Sequence, residues 1–226
     1  MNEPAIPIEP QETLAAIATR FAGAARVFQR HGLDFCCRGH QTLRQACATR
    51  NLAPEALLAE LHRELNPTED GIRWDERPVG ELIDHLLSHY HDAHRTELPR
   101  LIAMARKVEA VHADRADRPN GLAAHLEFCA DELERHMQKE EQVLFPMLRA
   151  GHGGHASGPI QVMEHEHQDH GANLEALRRL AHDYVPPPSA CATWRALYLG
   201  LEQLERDVMQ HIHLENHVLF PRVLAR

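Results

Sequence analysis

Apolar residues recur every three or four positions over most of this chain, and no stretch alternates apolar and polar residues in the manner of a strand. That spacing places the apolar side chains on one face of an α-helix. It predicts four long helices, each with a proline near its first turn, over about 78–112, 119–149, 158–184 and 188–224. The loops between them are short, so neighbouring helices should run antiparallel as an up-down four-helix bundle.

The chain divides into two predicted domains, and both are helical. Residues 1–66 should form a small domain of short helices, with Gly32 closing one helix and Pro54 opening another. A polar, turn-rich linker follows at 67–77, and the bundle occupies 78–226. Pro99 falls inside the first long helix and predicts a bend there. The predicted fold class is therefore all-α.

The bundle repeats a sequence motif. "HMQKEEQVLFP" begins at His136 and "HIHLENHVLFP" at His211, which is an offset of 75 residues. "HDAH" in the first long helix likewise has a counterpart, "HQDH", in the third. The repeat therefore predicts that the bundle is a duplicated helical hairpin. In such a duplication the matching residues of the two hairpins would lie around one shared axis.

The predicted buried face of each long helix is interrupted by histidine or glutamate. In the first helix this face includes Leu87, Leu98 and Leu101, and in the second it includes Val143. A carboxylate buried without compensation is very unfavourable, whereas a metal centre can hold several imidazoles and carboxylates in a core. A lone histidine on an apolar face is usually an ordinary core residue, but a paired His-x-x-x-Glu in helical phase predicts a dinuclear metal site. The ligands chosen on phase are His91, His136, Glu140, His167, His211 and Glu215.

The remaining histidines divide by their position on the helices. His94 and His170 are in phase with the predicted ligands, and two interpretations stay open: outer residues of the site, or residues beside an open metal position. No role is assigned to His112 or His125. The others in the long helices are expected to be solvated, namely His85, His89, His165, His213 and His217.

Composition excludes several classes of function. The net charge is −9 and the basic residues are scattered, which argues against nucleic acid as a partner. No apolar run is long enough to span a membrane. The five cysteines are odd in number and no secretion signal precedes them, which predicts free thiols in a reducing cytoplasm.

Two adjacent cysteines, Cys36 and Cys37, lie between predicted short helices. Adjacent cysteines form a strained disulfide and lack the spacing of a zinc clip. Arg38 and the start of the next helix would lower a thiol pKa. One interpretation is an exposed, reactive or metal-accepting pair, and the other is two small apolar residues that pack a small core. Both remain open on the sequence.

Several motifs together resemble a known family. "LDFCCRGHQTL", "YHDAHRTELP", "GPIQVMEHEH" and the two "VLFP" stretches are similar, in order, to the iron-sulfur cluster repair di-iron proteins (the RIC, YtfE or ScdA family). The resemblance implies a haemerythrin-like bundle and a centre of two iron ions, bridged by oxo and carboxylate groups. The ligands it implies are the six residues chosen on phase, and its paired cysteines fall on Cys36 and Cys37.

The resemblance also implies what the protein acts on. Iron would be donated to iron-sulfur proteins whose clusters are damaged by nitrosative or oxidative stress, with the cysteine pair receiving or handing over the metal. Alternatives are an enzyme that reduces nitric oxide to nitrous oxide at the di-iron centre, or a nitric oxide-binding protein. The expected partners are damaged or apo iron-sulfur proteins and nitric oxide, and a homodimer is one candidate assembly.

Overall fold

The computed structural model of the protein describes residues 8–65 and 72–225. These residues form two compact units: the residues up to Leu82 with those from Met209 onward, and Ile83–Val208. Within the described ranges there is no strand, only an isolated bridge between Thr13 and Thr42. The all-α prediction is confirmed. None of the helices in these ranges is long and apolar enough to cross a membrane.

The first unit begins with short helices. The side chains of Thr13 and Thr42 each accept a hydrogen bond from a backbone N–H in the first turn of a helix, from Ala16 and Gln45, which fixes where these helices begin. Gly32, at φ 63°, closes the second helix, and Pro54 opens the fourth, both as predicted. The helices are α1 Leu14–Arg20, α2 Ala22–Arg30, α3 Leu43–Thr49 and α4 Pro54–Glu64.

Four long helical stretches follow, close to their predicted bounds. Helix α6 continues through Pro99, and the bend expected there stays a prediction. The domain boundaries at 66 and 78 also stay predictions, because residues 66–71 of the linker region lie outside the described residues. The elements are α5 Val79–His85, α6 Asp92–Val111, α7 Leu122–Lys139, α8 Phe145–Arg149, α9 Ser157–Leu180, α10 Ala192–Leu214 and α11 Phe220–Leu224.

Three π-helical segments interrupt these stretches, and the sequence pattern did not predict them. They are Leu86–His91, Glu140–Leu144 and Glu215–Leu219, and each begins or ends at a predicted metal ligand. The second and third each end two residues before a proline. A proline has no N–H to donate and its ring crowds the carbonyl four residues back, so a wider turn just upstream relieves the conflict.

The π segments shift the phase of the buried face. Val143 was predicted to lie on that face, but its side chain is 51 % exposed, whereas Leu144 is 1 % exposed. In the first long stretch Leu86 is buried in place of the predicted Leu87, which is only half-buried. The extra residue that a π turn adds accounts for a shift of one position in each case.

Candidate metal centre

Four of the predicted ligands lie together in the unit Ile83–Val208. His91 ends a π segment, His136 lies in α7, Glu140 begins the next π segment and His167 lies in α9. All four side chains are buried. One ligand atom from each of His136, Glu140 and His167 lies within 4.8 Å of the others. The helices of this unit therefore converge on a shared group of nitrogen and oxygen donors.

Glu140 lies between two sets of imidazole nitrogens. Its Oε2 is 3.4 Å from His91 Nε2, and its Oε1 is 3.4 Å from His136 Nε2. His167 Nε2 is 3.1 Å from His136 Nε2. Two imidazoles that bind one ion at about 2.1 Å would place their nitrogens roughly 3.0–3.4 Å apart, so the His136–His167 distance fits two ligands of one ion. The two oxygens of Glu140 face different histidines, as a bridging carboxylate requires.

Two outer glutamates orient two of the predicted ligand histidines. His91 Nδ1–H donates to Glu141 Oε1 at 2.8 Å, and His136 Nδ1–H donates to Glu166 Oε2 at 2.9 Å. With Nδ1 protonated, Nε2 of each neutral ring keeps a lone pair directed toward the Glu140 side. This carboxylate–histidine arrangement is a common support of metal-binding imidazoles.

Basic side chains in turn hold the outer glutamates. Arg95 donates to Glu141 at 2.8 Å, and Lys139 pairs with Glu166. The hydrogen bond from His136 lowers the pKa of Glu166 to about 2, and Lys139 adds to the effect. Burial acts to raise the pKa of Glu141, but Arg95 and His91 outweigh it and lower that pKa. Both glutamates are therefore held as carboxylates, ready to accept from imidazole N–H groups.

Glu141 and Glu166 were not among the site residues predicted from the sequence. Each is adjacent in sequence to a predicted ligand, Glu141 after Glu140 and Glu166 before His167. Such a neighbouring acid is a weak signal, because an acidic residue next to a buried position is usually a solvated one. Only the structure shows that both reach across to a histidine on another helix.

The other two predicted ligands lie in the unit that contains the short helices. His211 is near the end of α10 and Glu215 begins the π segment that follows, and both are buried. His211 Nε2 lies 3.3 Å from Glu215 Oε1, as expected for residues four apart on one helix face. The predicted His-x-x-x-Glu pair therefore forms a local pair of donors.

The cysteine pair lies in the same unit, in a turn that begins at Asp34. Asp34 Oδ1 accepts hydrogen bonds from the backbone N–H groups of Cys37 at 2.8 Å and Cys36 at 3.2 Å. The Cys36 side chain is buried and Cys37 is half-buried. An exposed pair is therefore wrong for Cys36, which packs as the alternative interpretation proposed.

The environment of Cys36 also corrects the expected effect of Arg38. The hydrogen bond with Cys37 and then burial raise the pKa of the Cys36 thiol well above its ordinary value, and the negative charge of Asp34 adds to this. The lowered thiol pKa predicted from the sequence is therefore wrong for Cys36. At neutral pH Cys36 holds its proton.

The end of the fourth long stretch holds this turn in place. His217 Nε2–H donates to the Cys36 carbonyl at 2.8 Å, and Asn216 Nδ2 donates to the same oxygen at 3.3 Å. His213 Nε2 is 3.2 Å from Thr19 Oγ1, and its ring lies 5.5 Å from that of Phe35. The expectation that His213 and His217 are solvated is wrong, because these side chains pack against the short helices and the cysteine turn.

The remaining histidines are placed as follows. His94 and His170 are buried, at 1 % and 6 % exposed, and the ring of His170 lies edge-on to that of His136 at 4.9 Å. His112 lies 3.4 Å from Cys191 Sγ and is not part of the donor group. His89 and His165 are exposed as expected, and His85 is half-buried.

Both parts of the chain match known domain families. Residues 82–223 match the hemerythrin HHE cation-binding domain, a range that contains all six predicted ligands. Residues 10–65 match the ScdA_N domain, described as a domain of unknown function. A chain with this fold and this donor group is a haemerythrin-like protein, as predicted from the sequence.

Relatives that match nearly the whole chain identify its family more specifically. The iron-sulfur cluster repair protein YtfE of Pectobacterium carotovorum subsp. carotovorum (strain PC1) is 46 % identical over 213 residues, covering 94 % of this chain and 96 % of the relative. Its namesake from Yersinia pseudotuberculosis serotype O:1b (strain IP 31758) is 48 % identical over 216 residues, with the same coverage. The chain belongs to this family of haemerythrin-like iron-sulfur cluster repair proteins.

Proposed function

We propose that this protein binds two iron ions and repairs iron-sulfur clusters damaged by nitrosative or oxidative stress by donating iron. The observation that carries the proposal is Glu140, whose two oxygens face His91 and His136 while each of these imidazoles donates its Nδ1–H to a glutamate. Such a donor set suits iron. The proposed ligands are His91, His136, Glu140, His167, His211 and Glu215.

The protein's own residues would set how firmly iron is held. Glu141 and Glu166 keep His91 and His136 in the tautomer whose Nε2 can bind a metal, and Arg95 and Lys139 keep those glutamates charged. When bound, the two ions supply a redox-active centre and a store of transferable iron. Protonation or displacement of an outer glutamate would loosen a ligand histidine and favour release.

Cys36 and Cys37 have the proposed role of intermediate acceptors. Thiolates bind ferrous iron well and can exchange it with other thiolates, which are the usual ligands of iron-sulfur clusters. The proposed partners are damaged or apo iron-sulfur proteins, and the proposed compartment is the cytoplasm, where free thiols such as the five of this chain persist. A homodimer remains a prediction.

The test of this function is repair of a damaged cluster in a purified acceptor. A [4Fe–4S] dehydratase inactivated by nitric oxide should regain activity on addition of the iron-loaded protein under reducing, oxygen-free conditions. The Glu140→Leu variant and the metal-free protein should not support recovery. Equal recovery with an equivalent amount of free ferrous iron would contradict a role for the protein.

A second function, nitric oxide reduction, is favoured by one feature of the surface. A cleft in the unit Ile83–Val208 reaches His170, beside the ring of His136; it is lined by Glu132, Arg135, Lys139, Glu166, Asp169 and His170. A small molecule could approach the donor group there. Many equivalents of nitrous oxide per chain, formed from excess nitric oxide with a reductant, would support an enzyme. One equivalent or none would leave nitric oxide as a ligand.

A further inference from the structure

We propose that Asp34, Cys36 and Cys37 form a second, separate cation site, a three-donor site that binds one divalent metal ion through two sulfurs and one carboxylate oxygen. The site deepens the proposed function, because it would bind iron during transfer, and this role rests on that function. The ability of the site to bind a metal ion does not depend on the proposed function. The third donor, Asp34, was not among the site residues predicted from the sequence.

Two of the three donor–donor distances are close to those of a four-coordinate ion, and all three ligand atoms lie within 4.8 Å of one another. Cys36 Sγ is 3.6 Å from Cys37 Sγ and 3.2 Å from Asp34 Oδ1. Two sulfurs bound tetrahedrally to one ion at about 2.3 Å would lie roughly 3.8 Å apart, and a sulfur and an oxygen roughly 3.6 Å apart. The observed separations differ from these by a few tenths of an ångström. Binding would therefore require small side-chain adjustments and no rebuilding of the turn.

The burial of the three donors leaves one side of the site open. Cys36 is covered, at 1 % exposed, whereas Asp34 and Cys37 are half-buried. An ion would enter on the side of Asp34 and Cys37, and that side leaves a fourth position for a water or an incoming ligand. An open fourth position suits a site that passes metal onward better than one that stores it.

The net charge of the site is unchanged when one divalent cation replaces the two thiol protons. The Cys36 and Cys37 S–H bonds break, two metal–sulfur bonds form and two protons leave to solvent. Two thiolates and the Asp34 carboxylate then surround a divalent cation, and no redox change is involved. Because Cys36 holds its proton in the metal-free protein, binding should weaken as the pH falls.

The turn is fixed before metal arrives. The Cys36 carbonyl accepts from His217 and Asn216, and the Cys36 and Cys37 N–H groups donate to Asp34. A Cβ added to Gly39, just after the turn, would lie 2.5 Å from His217 Nε2, so backbone and imidazole are already in close contact. Little ordering would be needed on binding, which favours affinity.

Cobalt(II) titration of the iron-loaded protein tests the site. A Cys129→Ser/Cys191→Ser background removes two other thiols that lie near histidines, at 3.5 Å from His125 and 3.4 Å from His112. We expect one equivalent of Co²⁺ to give the intense visible bands of a four-coordinate ion and thiolate-to-cobalt charge transfer in the difference spectrum. Cys36→Ser and Cys37→Ser should abolish the charge transfer.

The decisive variant is Asp34→Asn, which keeps an oxygen to accept the backbone hydrogen bonds but removes the charge. It should weaken cobalt binding by about tenfold or more, the effect of losing a charged ligand or its support. Asp114→Asn, at an exposed position away from both sites' proposed ligands in sequence, is the matched control and should bind as the background does. Unchanged affinity in Asp34→Asn, or charge transfer that survives loss of either cysteine, would overturn the site. Cobalt binding without cluster repair would instead contradict the proposed function alone.

Discussion

Two adjacent glutamates show how contacts, rather than residue type, set the roles in this site. Glu140 is fully buried and faces His91 and His136. Glu141 is half-buried and turned toward His91 Nδ1 and Arg95. The first is positioned to bind metal, and the second to orient a metal ligand. Substitutions at these two residues should therefore affect iron in different ways.

Glu140→Leu should abolish normal iron loading. The substitution removes both oxygens that lie between His91 and His136, so the iron content should fall well below two per chain and the spectrum of an oxo-bridged pair should be lost. Glu215→Leu should behave in the same way. Metal analysis of purified protein checks this, with Glu164→Leu at an exposed helical position as the control. Normal iron content in Glu140→Leu would exclude a bridging role.

Glu141→Gln should weaken iron binding without abolishing it. His91 would lose its charged hydrogen-bond acceptor, and loss of such an outer group typically lowers metal affinity by about 10–100-fold. The matched control is Glu134→Gln, because Glu134 pairs with the same Arg95, at 2.9 Å, and also accepts a hydrogen bond from Gln138. Competition with a chelator measures the affinity. Equal losses in both variants would assign the effect to Arg95 instead.

The cysteines should differ in reactivity by position. At neutral pH N-ethylmaleimide should modify exposed Cys191 first, whereas Cys36 should react slowly because it is buried and its pKa is raised. Mass spectrometry of the digested protein locates the adduct, and in denaturant all five cysteines should react. Modification of Cys36 as fast as Cys191 in the native protein would show that the turn opens readily.

At the scale of whole elements, the cysteine turn depends on a close contact with the end of the fourth long stretch. Gly39→Ala would place a Cβ 2.4 Å from the Phe35 carbonyl oxygen and 2.5 Å from His217 Nε2. Such overpacking should lower the free energy of unfolding by about 1–3 kcal/mol. Denaturant unfolding of the metal-free protein measures it.

The control for that prediction is another glycine-to-alanine change. A Cβ at Gly158, in α9, would meet nothing within 4 Å. Alanine there should leave stability unchanged or raise it by up to about 1 kcal/mol, because alanine favours a helix. If Gly39→Ala is as stable as Gly158→Ala, the turn is not packed against His217 as described.

Helical periodicity could not predict the π segments or the change of phase that they cause in the buried face. The 3.6-residue pattern located all four long stretches and put Leu98 and Leu101 correctly in the core. It failed beyond Glu140, where Val143 is exposed and Leu144 buried, because the π turn changes the phase. The repeated proline of "VLFP" was the signal available for that turn.

For the whole molecule, the sequence predicted the fold class and the family, and its six candidate ligands all fall within the matched hemerythrin range. Glu166 was missed because it reaches His136 from α9, and no spacing within one helix predicts that contact. Asp34 was missed although it lies two and three residues before Cys36 and Cys37, a spacing at which an aspartate side chain often accepts backbone N–H groups.

Iron removal should destabilise the whole protein. The proposed ligands occupy buried positions, so a metal that binds only the folded state adds about 2.7–4.1 kcal/mol at 100 to 1,000 times its dissociation constant. Thermal unfolding of iron-loaded and metal-free protein checks this, and reloading should restore the melting temperature. Identical melting temperatures would place the iron outside the core.

The most direct test of the account follows labelled iron from the protein to a cluster. The protein is loaded with ⁵⁷Fe and incubated, without oxygen, with a damaged iron-sulfur acceptor, sulfide and unlabelled ferrous iron. The account predicts that the repaired cluster carries ⁵⁷Fe in its Mössbauer spectrum, and that Glu140→Leu supplies none. A repaired cluster that contains only unlabelled iron, while the ⁵⁷Fe stays with the protein, would contradict iron donation.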